Sequence, residues 1–254
     1  MRTIRKPAAN ACHFPISRKP AGRCPPGRRP MLESMRLSEL QLPLSGRLVG
    51  ADACFTAVST DSRAIEPGQL FIALAGPRFD GHAYLADVAG KGAVAALVER
   101  EVEGAGLPQL IVADTRLALG QLGALNRAAF NGPVAAITGS SGKTSVKEML
   151  ASILRSAHGQ DAVLATRGNL NNDLGAPLTL LELSTSHRSA VIELGASRPG
   201  DIAYTVDLVR PDVSVITNAG TAHVGEFGGP DKIVEAKGEI LDGLNASGTA
   251  VLNR

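Results

Sequence analysis

Val134-Ala135-Ala136-Ile137-Thr138-Gly139-Ser140-Ser141-Gly142-Lys143-Thr144-Ser145 reads as a buried strand, a glycine loop and the opening turn of a helix, and the rest of the chain is legible outward from it. Gly139 and Gly142 let backbone N–H groups converge on an anion, Lys143 can reach outer phosphates, and the Thr144 hydroxyl can ligate Mg²⁺ at the helix N-terminus. The competing reading is an ordinary strand-to-helix turn. Against it, the Gly-Lys-Thr triplet follows a β-rich run and precedes Val146-Lys147-Glu148-Met149-Leu150, the context a phosphate loop needs. Ile137 stands where longer phosphate loops begin with glycine, which leaves a shorter core.

Downstream, apolar runs over 162–165, 189–194, 213–218 and 248–252 alternate with helical patterns near 177–183, 199–208 and 230–245. Continuous apolar strands separated by helices predict a parallel sheet covered on both faces, hence an α/β fold. Upstream, Pro67-Gly68 turns the chain into a strand over 69–74. An alanine-rich helix near 83–90 and strands over 93–98 and 109–113 complete a small α/β domain. Its polar residues Ser62, Arg63 and His82 lie at element ends, where ligand contacts often sit, although a solvated turn residue is the plain alternative for each. A helix over 115–130, with Leu117, Leu122, Leu125 and Ala129 as its apolar stripe, ends at Asn131-Gly132-Pro133. The expected organisation is a tail over 1–30, a small α/β domain over 31–114 and a phosphate-loop domain over 115–254.

The length of 254 residues accommodates two ordinary domains. Residues 1–30 hold six prolines, eight Lys/Arg and no acid, and read as a disordered tail or as sequence ahead of a true start at Met31 or Met35. A transit peptide shares the arginine-rich composition, but the prolines oppose the amphipathic helix such peptides form. Binding of RNA or lipid by the tail is the remaining alternative. The other residues carry 18 basic against 24 acidic side chains, which argues against nucleic acid as a partner of the folded part. Cys12, Cys24 and Cys54 form no close pair and indicate a reducing, cytoplasmic setting; Cys12-His13 and Cys24 fit no zinc spacing. No apolar run approaches the eighteen or so residues of a membrane span.

In open parallel sheets, ligands collect beyond the carboxyl ends of the strands. There the pattern places the glycine loop, Glu193 near the end of one strand, Asn218 closing the next, and His223 in the loop that follows. An acid inside an apolar strand is costly unless paired or metal-bound, so Glu193 is a candidate Mg²⁺ ligand, with a cap or salt bridge as the alternative. His223 is a candidate metal ligand or phosphate contact. On the helix over 230–245, Ile233, Ile240, Leu241 and Leu244 share one face, and Lys237 falls inside it. Its amine either snorkels to solvent or is driven towards neutrality by burial.

From about Met35 to Arg254 the sequence resembles the Mur ligases of peptidoglycan synthesis, with motifs in the family's order. These are Ser59-Thr60-Asp61-Ser62-Arg63, Phe79-Asp80-Gly81-His82, Thr138-Gly139-Ser140-Ser141-Gly142-Lys143-Thr144, the run from Gly168 through Asn169, Asn171 and Asn172 to Pro177, Glu193-Leu194-Gly195, and Asn218-Ala219-Gly220-Thr221-Ala222-His223. Ala222-His223 and the paired Asn171-Asn172 favour the member that adds D-alanyl-D-alanine, and Val224 stands where the family commonly has leucine.

The resemblance implies an ATP-dependent amide ligase that phosphorylates the terminal carboxylate of UDP-N-acetylmuramoyl-tripeptide and then joins it to D-Ala-D-Ala. It implies catalytic roles for Lys143, Glu193, His223 and Lys237. It implies ATP contacts from Gly139, Ser140, Ser141, Gly142, Lys143, Thr144, Ser145 and Asn218. One Mg²⁺ would sit at Thr144 and Glu193, and a second at His223 and Lys237, the lysine carrying CO₂ as a carbamate. Ser62, Arg63, His82, Asn169, Asn171 and Asn172 would contact substrate. The family's third, Rossmann-like C-terminal domain is not in this sequence, so the expectation is a truncated chain, inactive alone. A sister amino-acid ligase, a non-catalytic nucleotide or UDP-sugar module and a regulatory phosphate-loop NTPase are the rival readings.

Overall fold

The computed structural model describes residues 34–77, 79–220 and 229–253; the tail over 1–30 and His223 lie outside the described residues. The chain divides into two units between Ala129 and Phe130. Helix α3 (Thr115–Ala128) therefore falls in the first unit, whereas the sequence pattern puts it at the head of the second. Its first residue shows why: Thr115 Oγ1 donates to Glu99 Oε1 at 2.9 Å and to the Ala73 carbonyl at 3.4 Å. The buried stripe of α3 runs through Ala118, Leu119, Leu122 and Asn126, and the expected Leu117 is 55% exposed because it stands outside that arc.

In the first unit, β1 (Met35–Arg36) pairs antiparallel with β3 (Cys54–Phe55). Five further strands, β2 (Arg47–Val49), β4 (Ala57–Ser59), β5 (Gln69–Ile72), β8 (Ala95–Val98) and β9 (Gln109–Ile111), form a sheet of order β2-β9-β8-β5-β4. All but the edge strand β2 run parallel. Phe71, Ala96 and Val98 pack with Leu85 and Val88 of α2 (Leu85–Gly90), while the alternate residues Leu70, Ile72 and Leu97 are equally buried, so both faces are covered. A short antiparallel pair, β6 (Ala75–Gly76) and β7 (Phe79–Asp80), leads into a tight turn over Gly81–Tyr84.

The second unit holds the expected parallel sheet. Its strands β10 (Val134–Thr138), β11 (Val163–Ala165), β12 (Ser189–Glu193), β13 (Val213–Ile216) and β14 (Thr249–Leu252) stand in the order β11-β12-β10-β13-β14. Every pairing is parallel. Helix α4 (Lys143–His158) lays Val146, Leu150, Ala151 and Leu154 on Ile137, Val163, Val191 and Val215. The crossover from β10 runs towards β11, and those from β11 and β12 run the opposite way. Right-handed crossovers then put α4 on one face and α5 (Gly175–Leu181) and α6 (Asp201–Val209) on the other. The helix expected over 230–245 is shorter, Pro230–Gly238 followed by a 3₁₀ turn over Glu239–Leu241. Glycine at 238 weakens the helix, and the turn lets the Ile240 carbonyl accept from Ser214 Oγ at 3.1 Å.

Connections leave β10 and β13 in opposite directions, so the sheet has its switch point between these two neighbours. The loops after them, 139–142 and 217–220, therefore flank one crevice at the carboxyl ends of the strands.

Candidate functional site

The two loops are tied to each other by their own hydrogen bonds. Ser140 N donates to the Asn218 carbonyl at 3.0 Å, and Ser140 Oγ to the Gly220 carbonyl at 3.0 Å. Asn218 Oδ1 accepts from Ser141 N at 3.1 Å while its Nδ2 donates to the Ser141 carbonyl at 3.1 Å, and Thr217 Oγ1 donates to that same carbonyl at 2.6 Å. Gly142 turns at φ 77° into α4, whose first-turn N–H groups have no acceptor within the helix. Lys143 Nζ donates to the Gly139 carbonyl at 2.7 Å, which holds the ammonium beside those groups, and Ser145 follows exposed in the same turn. A fixed loop, a helix N-terminus and an ammonium together form an anion site.

Gly139 shows how closely the loops approach. Its φ is 149°, and a β-carbon there would lie 2.0 Å from Thr217 Oγ1 and 3.1 Å from the backbone N of Asn218. Gly139→Ala is expected to destabilise the chain by about 1–3 kcal/mol through backbone strain alone, with further loss from the clash. Urea unfolding checks this; an unchanged midpoint would contradict it.

Register sets Glu193 level with Ile137, and Val191, two residues earlier, already packs beneath α4. Side chains two apart share a face, so Glu193 meets the first turn of that helix. Thr144 Oγ1 donates to Glu193 Oε2 at 2.9 Å and Asn171 Nδ2 donates to Oε1 at 2.8 Å. Glu193 is 2% exposed, and among the described residues it has no ion-pair partner. Such a carboxylate keeps lone pairs for a cation, as does a threonine hydroxyl that has spent its proton on it. A hard pair of oxygens beside an anion site fits Mg²⁺, with phosphate and water oxygens completing the shell. Of the neighbouring asparagines, Asn172 Oδ1 accepts from Gly175 N at 2.8 Å, ahead of α5, and Asn169 is exposed.

Lys237 does not snorkel. It is 4% exposed on the helix Pro230–Gly238, beside buried Ile233 and Ala236. Burial pushes its amine below the ordinary 10.5, the charge of Lys143 pushes the same way, and Glu239 and Asp201 oppose the shift. The electrostatic influence of Lys143 brings Lys237 into the neighbourhood of the phosphate loop.

In the first unit, Ser62 and Arg63 sit in a turn built by Asp61, whose carboxylate accepts from Arg63 Nε at 2.9 Å and Nη2 at 2.8 Å. Arg63 projects its exposed guanidinium, and Lys91 Nζ reaches the Ser62 carbonyl at 2.9 Å. His82 is 3% exposed. Its Nδ1 lies 2.6 Å from Asp80 Oδ1, and its Nε2 accepts from Glu99 N at 2.9 Å, so Nδ1 carries the proton. With both nitrogens engaged, this ring braces the turn.

Asp80 is held down to about 2, first by the Arg100 guanidinium and then by His82. Its folded value lies below the ordinary 3.8, so the stabilisation it gives is present above that pH and is lost as pH falls through about 2. Asp61, held at about 2 by Arg63, acts with the same sign. Asp80→Asn is expected to flatten the decline of stability below pH 3.8, read from denaturant titrations at stepped pH; the wild-type slope in the variant would contradict it.

Residues 137–254 match the family profile described as the Mur ligase middle domain, and residues 55–127 that of the Mur ligase family, catalytic domain. The chain is 49% identical over 220 residues to the UDP-N-acetylmuramoyl-tripeptide--D-alanyl-D-alanine ligase of Escherichia coli (strain K12), a match covering 87% of this chain and 48% of that protein. A crystal structure of MurF from Acinetobacter baumannii is similar with a TM-score of 0.81 at 47% identity, over 87% of this chain and 49% of that one. The MurF ligase of Thermotoga maritima in complex with ADP is similar with a TM-score of 0.70 at 35% identity, over 77% and 45%. The chain spans about half the length of the curated relatives it matches.

Proposed function

The chain belongs to the Mur ligase family, and we propose that it works in an ATP-dependent amide ligase that joins D-alanyl-D-alanine to UDP-N-acetylmuramoyl-tripeptide in peptidoglycan precursor synthesis. The observation that carries this reading is the buried Glu193 carboxylate facing Thr144 at the head of the phosphate-loop helix. ADP bound to the Thermotoga maritima relative supports ATP as the nucleotide.

The first unit, with Ser62 and Arg63 exposed at its turn and His82 bracing it, takes the UDP-linked substrate. The second holds ATP through Gly139 to Ser145, with Asn218 fixing the loop and Asn171, Asn169 and Asn172 lining the substrate side. A carboxylate oxygen of the tripeptide attacks the γ-phosphorus, the bond to the β-phosphate oxygen breaks, and ADP leaves. The amine of D-Ala-D-Ala then attacks the acyl carbon, phosphate departs with the oxygen that attacked, and the amine loses a proton. Lys143 and the loop amides stabilise charge on the transferring phosphoryl. Thr144 and Glu193 would hold one Mg²⁺ and His223 and Lys237 a second, neutralising phosphate charge. The buried amine of Lys237 would take up CO₂ with loss of a proton, and the resulting carbamate would supply anionic oxygens to that second ion.

The described residues include no helix long and apolar enough to cross a membrane. ATP and a UDP-linked substrate favour the cytoplasm as the setting of the proposed reaction. Calorimetric titration tests the assignment of sites: Mg-ATP and UDP-N-acetylmuramoyl-tripeptide should each saturate the chain. Binding of ATP with none of the UDP substrate would favour a plain nucleotide-binding protein.

A further inference from the structure

Lys147 stands one turn after Lys143 on α4 and is wholly buried. An ammonium inside a packed unit is costly unless its donors are met. Here Nζ donates to the Thr166 carbonyl at 2.7 Å and pairs with Glu148 Oε1 at 2.8 Å. Glu148 is 57% exposed, so an ion pair with it does not require burial; the inward course of the lysine is explained by the carbonyl. A methionine would fill the space and give Thr166 no donor.

Thr166 is a junction. Its N–H donates to the Val191 carbonyl at 3.1 Å, and its Oγ1 accepts from the backbone N of Glu193 at 2.9 Å. Glu193 in turn accepts from Thr144, three residues before Lys147 on the same helix. The contacts close a ring: α4 through Thr144 to Glu193, through its backbone to Thr166, and back through Lys147 to α4. Positions three apart lie on one helix face, so the two attachments grip the strand ends together.

We infer that Lys147 is a positioning residue that sets Glu193 opposite Thr144 by fastening α4 to Thr166. The inference rests on the Mg²⁺ assignment made above for Thr144 and Glu193. Losing an outer partner of a metal ligand commonly weakens metal affinity by about tenfold or more.

The test titrates Mg²⁺ against a fluorescent ATP analogue bound to wild-type chain, Lys147→Met, Thr166→Val and the double variant, alongside metal-free amide exchange at Glu193. Lys147→Met should raise the half-saturating Mg²⁺ about tenfold. Nucleotide affinity in chelator should stay unchanged, and Glu193 exchange should speed up. The double variant should fall short of the sum of the singles. Wild-type Mg²⁺ dependence and wild-type Glu193 exchange in Lys147→Met would overturn the inference, as would full additivity. If Lys147→Met does not fold, Lys147→Leu, which likewise gives Thr166 no donor, is read by the same criteria. Should the wild-type chain bind no Mg-ATP, the functional reading fails separately and Glu193 exchange still decides the role of Lys147.

Discussion

Lys143→Ala is expected to slow ligation about a thousandfold, the scale on which a preorganised electrostatic contact to a transition state operates. The assay uses a chimera that joins this chain to the part of the Escherichia coli relative it does not match. The loop should survive the change, because Asn218 and Thr217 tie it across the crevice independently of the lysine. Lys143 spends only one donor on the Gly139 carbonyl, leaving its charge for phosphate. Arginine should not substitute, since its planar fork cannot fill the position of a compact ammonium on a flexible stem. Ligation in Lys143→Ala within tenfold of wild type, at equal thermal stability, would contradict the role. A second consequence concerns Lys237: without the Lys143 charge its amine should titrate higher, since that charge is one of the two causes pushing it down.

Lys237→Ala should slow ligation to a similar extent, about a thousandfold or more, because on the proposed assignment the site loses a charged ligand rather than a spectator. Formate or acetate should restore part of the rate by placing a carboxylate where the carbamate would be. Full activity in the alanine variant, or no rescue by any short carboxylate, would remove the carbamate. The folded amine lies below 10.5, so between the two values the unfolded chain binds more protons and stability rises with pH. Lys237→Met should therefore remove that rise, read from denaturant midpoints at stepped pH; the wild-type slope in the variant would contradict it.

Much of this site was legible because its residues break local rules. Glu193 is an acid in a strand of Ser189-Ala190-Val191-Ile192, and Lys237 a lysine on an apolar face, and both are buried in the structure. The same signal stands at Lys147, among Val146, Leu150, Ala151 and Leu154, but it is masked by the phosphate-loop motif directly ahead of it. Thr166 and Thr217 carry no comparable signal. Their roles depend on which strand ends become neighbours, and that is fixed by the order β11-β12-β10-β13-β14 rather than by local pattern. The contact of His82 Nε2 with the backbone N of Glu99, just after β8, is likewise not visible in Phe79-Asp80-Gly81-His82, because it depends on which elements become neighbours. The end of the helix Pro230–Gly238 was hidden because Ile240 keeps the apolar stripe in phase while the backbone tightens beneath it.

The chemistry is tested most directly by UDP-N-acetylmuramoyl-tripeptide labelled with ¹⁸O in its terminal carboxylate, ligated by the chimera with ATP and D-Ala-D-Ala. If the carboxylate oxygen attacks the γ-phosphorus, that oxygen leaves with phosphate, and mass spectrometry should find ¹⁸O in the inorganic phosphate in step with amide product. Amide formed with unlabelled phosphate, or phosphate released at the same rate without the tripeptide, would contradict carboxylate activation at this site.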